Sequence, residues 1–226
     1  MSTKSLNRHS LANQIYEILK DWILNLQYQP GDRIDTKYLE NYFHVSHAPI
    51  RDALNHLIKD KLIIVKPRVG YFAVELTITD VERLWDVREM LEKHALEMTF
   101  HPVPYEELTA MKERMKAYKS GVYKKEVLSD LNSIDMDLHR GLIIGRSENT
   151  YIIEFYQSIY DLLTISMHIT ERYLNDIEEH MNIIESWMSD DFNATRTYLL
   201  THLSRVKEKL ILKLNEQKTE EMEGSG

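Results

Sequence analysis

The 226-residue sequence predicts a mainly α fold in two parts: a short N-terminal set of helices closed by a β-hairpin, then a longer all-α bundle. Three observations carry this expectation. Between Pro30 and Val74, short helical periodicities, turn residues and two β-rich runs follow one another; beyond Glu75 glycine becomes rare and apolar residues recur at three- and four-residue spacing almost to the end. The charge divides at the same place. Residues 1–75 hold ten Lys and Arg against eight Asp and Glu, a net of +2, and residues 76–226 hold 18 against 28, a net of −10, which together give the overall −8.

The N-terminal part is read first. Leu39, Phe43 and Val45 make the apolar side of a short helix and its exit. Ser46 is placed to cap a second helix by accepting from a backbone N–H of its first turn, and Pro49 falls where that turn has no internal use for an N–H. Ile50, Leu54, Leu57 and Ile58 then form a buried stripe, which leaves Ser46, His47, Ala48, Arg51 and Asn55 largely off it. Leu62–Val65 and Tyr71–Val74 read as two strands around a cationic tip of Lys66, Pro67, Arg68, Val69 and Gly70. This is the pattern of a winged helix-turn-helix. A small, polar, cationic helix start suits a major groove about 12 Å wide, and the tip can reach phosphates or the minor groove.

The run PGDRI, a helix ending in FHVS, then HAPIRDAL and the glycine-terminated wing resemble the N-terminal domain of the GntR family of bacterial transcription regulators. The resemblance implies duplex DNA as partner. It implies a phosphate-contacting role for Arg33, a capping role for Ser46, and matches at Pro49, Arg51 and the wing glycine Gly70. Two positions depart from the family pattern: His47 stands where an arginine is usual and Ala48 where a small hydroxyl is usual. Arginine commonly reads guanine through two hydrogen bonds, so His47 changes the base preference expected at that operator position.

In the second part, Thr79 with Glu82 reads as a capping box for a helix to about Phe100, and Pro102 and Pro104 interrupt before a helix from about Tyr105 to Ser120. Further helices are expected over Lys124 to Ile144, Tyr151 to Tyr173, Ile177 to Met188 and Phe192 to about Gln217, with turns at Gly121 and at Gly145 to Asn149. The expected domains are 1–76 (DNA-binding), 77–218 (effector-binding and dimerisation) and a flexible tail, 219–226.

Polar residues on apolar faces are the informative ones here. Asp135 and His139 lie one turn apart on the stripe of Leu128, Leu131, Leu138 and Leu142; His180 shares a face with Ile183 and Ile184; His202 sits among Tyr198, Leu199 and Val206. Four inward ligands on three helices fit a metal site, because burying an unpaired carboxylate costs several kcal/mol that a cation offsets. The residues alone equally allow a satisfied polar network. Three imidazoles and one carboxylate suit Zn2+, with Mn2+ or Ni2+ as alternatives. Arg88 shares the stripe of Val81, Leu84, Trp85, Leu91 and Ala95, so it needs a partner, either Glu92 one turn later or an anionic ligand.

This region resembles the FCD domain of the FadR-like branch of the same family, whose metal pattern of an aspartate, a histidine four residues on and two later histidines is matched in order by Asp135, His139, His180 and His202. The resemblance places Arg88 near the effector cavity. An open coordination position and a guanidinium fork together suit a bidentate anion, so a small organic acid bridging the metal and Arg88 is expected to set the operator affinity of a homodimeric repressor, not an enzyme. A metalloenzyme remains the alternative from another class, weakened by the absence of a further inward carboxylate as general base. No apolar run reaches bilayer length and the polar N-terminus lacks a signal-peptide core, so a cytoplasmic protein is expected. The absence of cysteine excludes disulfides and thiolate ligands.

Overall fold

The computed structural model describes residues 4–118, 131, 133–169 and 175–224. They fall into two compact units, one of Met1–Thr79 with Tyr160–Thr170, the other of Asp80–Ile159 with Glu171–Gly226. Among the described residues no helix is long and apolar enough to cross a membrane.

The first unit begins with a helix that the sequence reading, which started at Pro30, did not place. This α1 (Lys4–Leu24) buries Ala12, Ile15, Leu19 and Ile23, the three- and four-residue spacing of one helix face. Tyr16 Oη donates to Asp60 Oδ2 at 2.7 Å, and Lys20 pairs with Asp161. α2 (Thr36–Phe43) is capped by Asp35, whose Oδ1 accepts from the backbone N–H groups of Lys37 and Tyr38. It stops at His44, which takes a left-handed conformation, φ 53°. α3 (His47–Lys59) follows after two residues and buries Pro49, Ile50, Ala53, Leu54 and Leu57. Ile58, expected in that stripe, is only half-buried, and Ala53 takes the place.

The wing has three strands where two were expected. β1 (Arg33–Ile34), β2 (Ile63–Lys66) and β3 (Gly70–Ala73) form an antiparallel sheet in the order β1-β3-β2, with Arg33 opposite Phe72 and Lys66 opposite Gly70. A two-residue strand leaves no alternating pattern in a sequence, which is why β1 was missed. β2 begins and ends one residue later than the predicted run, and β3 one residue earlier.

The second unit is the expected helical bundle. α4 (Ile78–Thr99) begins one residue before Thr79, so that residue lies in the first turn and not at the cap. α5 covers Tyr105–Lys116, ending short of the predicted Ser120. The predicted stretch from Lys124 and the turn at Gly121 lie outside the described residues, as does Leu128. What is described there is α6, residues 133–144, α-helical at 133–136 and π-helical over Asp137–Ile144. A 3₁₀ turn, Gly145–Ser147, leads to α7 (Thr150–Ile169). α8 (Asn175–Met188) and α9 (Phe192–Gly224) complete the unit, and α9 continues as helix well past Gln217 into the segment expected as a tail. Trp85, Leu96, Leu138, Ile143, Ile183, Ile184, Trp187, Leu199 and Leu203 form its core. Trp187 stacks on Phe100 and donates to its carbonyl at 3.1 Å.

Candidate metal centre and nucleic-acid interface

α6, α8 and α9 bring Asp135, His139, His180 and His202 together, their candidate ligand atoms all within 4.8 Å of one another. His139 Nε2 lies 3.3 Å from His180 Nε2, which lies 3.2 Å from His202 Nε2; Asp135 Oδ1 is 3.8 Å from the first and 3.6 Å from the second. The three imidazoles are buried, while the Asp135 side chain keeps 14% of its exposure. Of the residues expected on the His202 face, Leu199 is buried and Tyr198 is exposed.

Two carboxylates fix the rings from behind. His139 Nδ1–H donates to Glu92 Oε2 at 2.6 Å, and His202 Nδ1–H donates to Glu179 Oε2 at 2.8 Å, because an ionised carboxylate only accepts. Each of these rings, its Nδ1–H given to a carboxylate, turns its Nε2 toward His180 Nε2. One hydrogen on that atom satisfies only one of them, so the three-way approach leaves lone pairs facing each other unless a cation lies between. Tetrahedral Zn–N bonds of about 2.0–2.1 Å set ligand nitrogens roughly 3.4 Å apart, close to the separations here. The residues fit a metal. Burial, and then the neighbouring His139, hold His202 well below the ordinary histidine range, in the neutral form that coordinates.

Glu92 is the hub behind the cluster. Its Oε1 accepts from Arg88 Nε at 2.6 Å and from Tyr156 Oη at 3.0 Å, and all three side chains are buried. Burial pushes the Glu92 carboxyl upward, but Arg88 and His139 overcome this and hold it well below the usual carboxylate range. Arg88, which also lies 4.6 Å over the Trp85 ring, thus takes the salt-bridge role, with Nε committed to Glu92. Glu179 accepts from Arg205 with its other oxygen. Sequence reading placed Glu92 beside Arg88 but not behind His139, and missed Glu179 and Tyr156. Position i+4 from Arg88 on a buried stripe was a usable signal for Glu92; the other two carry none.

The predicted DNA-facing residues divide. His47 is exposed at the first position of α3, its Nδ1 2.7 Å from Glu40 Oε1, and Arg51 is exposed one turn on, 3.8 Å from Asp52. Ala48 is half-buried. Pro49 is buried and packs inward, so it shapes the helix start and presents no surface. Ser46 stands at the N-cap with extended backbone and is exposed, yet its side chain makes no capping hydrogen bond. At the wing, Lys66 O accepts from Val69 N around Pro67 and Arg68, a type II turn in which Arg68 holds the left-handed position, φ 63°. Arg33 Nη2 donates to Val69 O at 3.2 Å and crosses over Gly70, whose φ of +138° only glycine adopts without strain. Arg33, Arg68 and Gly70 are therefore one local assembly.

Residues 11–73 match the model of the bacterial regulatory proteins, gntR family, and residues 83–205 match the FCD domain. The chain is 27% identical over 211 residues to the uncharacterised HTH-type transcriptional regulator YdhC of Bacillus subtilis, covering 91% of this chain and 93% of that one. Among solved structures, a protein described as a GntR regulator from Rhodococcus sp. RHA1 superposes with a TM-score of 0.73 at 17% identity, over 89% of this chain and 98% of that one. The Zn2+-bound FCD domain of TM0439 matches with a TM-score of 0.55 at 28% identity, over 62% of this chain and 97% of that domain. With an FCD match spanning more than half of its residues behind a matched gntR reader, the chain belongs to the gntR family of bacterial regulatory proteins and is a DNA-binding transcriptional regulator with an FCD domain.

Proposed function

We propose that this regulator is a homodimeric repressor whose operator affinity is controlled by a small carboxylate effector bound at a divalent metal, Zn2+ first among the candidates. The observation that carries the reading is the convergence of Asp135, His139, His180 and His202, three of them buried, on one point. These four residues would hold the ion, which when bound supplies a Lewis-acidic position for a carboxylate oxygen. The buried charges favour that ligand class. Arg88 contributes one positive charge against the two negative charges of Glu92 and Asp135, so a divalent ion leaves a net +1 that a monoanion neutralises. Asp135, the least buried of the four, marks the side from which an anion approaches, and Arg88 behind Glu92 adds its field.

In this reading residues 1–76 grip DNA and 77–218 sense the effector. His47 and Arg51 of α3 face the major groove, Ser46 and Ala48 border them, and Arg33, Arg68 and the Gly70 turn meet the backbone. Glu40, by taking the His47 Nδ1–H, leaves Nε2 as the atom turned to a base edge. An effector shifts operator affinity only through its differential binding to two arrangements of the dimer, typically by about 1–3 kcal/mol.

The test is a thermal-shift screen of organic acids on metal-loaded protein, with operator binding measured for each hit. An acid that stabilises the loaded protein and changes operator affinity supports the reading; stabilisation without any change in DNA binding removes effector control from it. Arg51→Ala is expected to weaken specific operator binding by roughly 1–3 kcal/mol while metal affinity stays as in the wild type. Equal loss of both functions would count against separable modules.

A further inference from the structure

A carboxylate stands at the edge of the surface that the reading above turns to DNA. Glu40, in the last turn of α2, puts Oε1 2.7 Å from Nδ1 of His47, the first residue of α3. The Glu40 side chain keeps 29% of its exposure and that of His47 keeps 58%, so the imidazole is the outer member of the pair. The turn between the helices holds both in place: His44 takes the left-handed conformation, and Val45 N–H donates to Glu40 O at 3.0 Å. Phosphates repel an acid at such a rim, so Glu40 costs affinity unless its contact with His47 contributes to recognition.

We propose that Glu40 sets which base His47 selects, by holding the imidazole as a hydrogen-bond acceptor for an amino-bearing base, cytosine or adenine, on the operator strand that it meets. This rests on the proposed docking of the α3 start in the major groove. An ionised carboxylate only accepts, so the hydrogen between the two groups sits on His47 Nδ1. In the uncharged ring the outer nitrogen, Nε2, then carries a lone pair and no hydrogen. In the major groove guanine offers two acceptors, N7 and O6, and thymine offers O4 and a methyl group, so neither has a hydrogen to give. Cytosine N4 and adenine N6 carry the donors. Cytosine is the better of the two. Adenine sets its N7 acceptor beside the amino group, whereas the cytosine edge is a donor alone and suits the negative field of Glu40. An arginine in place of His47 would have donors only and would select guanine, so the histidine with its acidic partner inverts the preferred base edge.

The test is selection from a randomised duplex pool by the full chain, followed by affinities for duplexes changed at single positions, at about pH 8, where an ordinary imidazole is uncharged. The position that loses its preference in His47→Ala is the one His47 reads. There the wild type is expected to favour cytosine over guanine by about fivefold, the weight of one hydrogen bond. Glu40→Ala is expected to cut that ratio to about twofold or less, while preference is kept at the position that Arg51→Ala relaxes. Glu40→Gln is expected to retain the ratio, since its amide oxygen accepts the same hydrogen, and His47→Arg to turn the position to guanine. Circular dichroism checks that the helices persist in each variant. A wild type that favours guanine or thymine there overturns the proposal, guanine because Nε2 would then be a donor. So does a Glu40→Ala protein that melts earlier yet keeps the full preference, since the pair would then only fasten the turn. If His47→Ala relaxes no position while Arg51→Ala relaxes one, the proposal falls and the docking of α3 stands; if neither relaxes any, the docking falls with it.

Discussion

Glu92→Ala is expected to lower the stability of the helical unit by about 3–5 kcal/mol, the cost of leaving a buried charge without its partner. The expectation follows from three contacts made by one fully buried carboxylate: Arg88 Nε at 2.6 Å, His139 Nδ1 at 2.6 Å and Tyr156 Oη at 3.0 Å. Alanine removes the acceptor of all three donors and takes from the buried Arg88 guanidinium its ion-pair partner. Glu92→Gln separates charge from hydrogen bonding, since the amide oxygen can still accept while the ion pair is lost, so it should fall between wild type and alanine. Urea denaturation of the three proteins measures the series. Values for both variants within about 1 kcal/mol of the wild type would show that Glu92 is not the hub the geometry makes it.

His180→Ala is expected to reduce metal affinity by roughly two to three powers of ten, taking one ligand of four as about a quarter of the 10–16 kcal/mol of small structural zinc sites. His180 is the choice because its Nε2 is the middle atom of the three, 3.3 Å from His139 and 3.2 Å from His202. Competition against a chromophoric chelator gives the affinity directly. Metal should raise the melting temperature of the wild type and leave that of His180→Ala nearly unmoved, because only binding to the folded state stabilises it. An unchanged affinity in this variant would remove the imidazole cluster from metal binding altogether.

How far the sequence disclosed this molecule depends on the range of each interaction. The turn-and-helix run from Asp35 to Lys59 and the helices of the bundle announce themselves, since periodicity and caps act over a few residues. Asp135 and His139 were legible together because they share one helix; His180 and His202 were legible singly, as polar residues on apolar faces, and only the fold brings them to one point. Pro49 was read from its place at a helix start and from the family match, and that it is core was not legible, since a proline there looks the same whether its ring points in or out. Ser46 was read as a cap from its place, but its hydroxyl makes no such bond. Glu179 and Tyr156 were invisible: the first is one acidic residue among many on α8, the second an ordinary tyrosine on α7. Their importance lies in partners 23 and 64 residues away in the chain.

The π-helical winding of Asp137–Ile144 has a consequence for how this region tolerates change. A wider turn accommodates more residues over the same rise than an α-helix does, so the angular phase between His139 and the core residues Leu142 and Ile143 depends on the number of residues as well as on their kind. A one-residue deletion in that stretch would rewind it and swing an imidazole away from its companions even if every remaining side chain were kept. Substitution there is a matter of chemistry, whereas insertion or deletion is a matter of phase, and the second is the less forgiving.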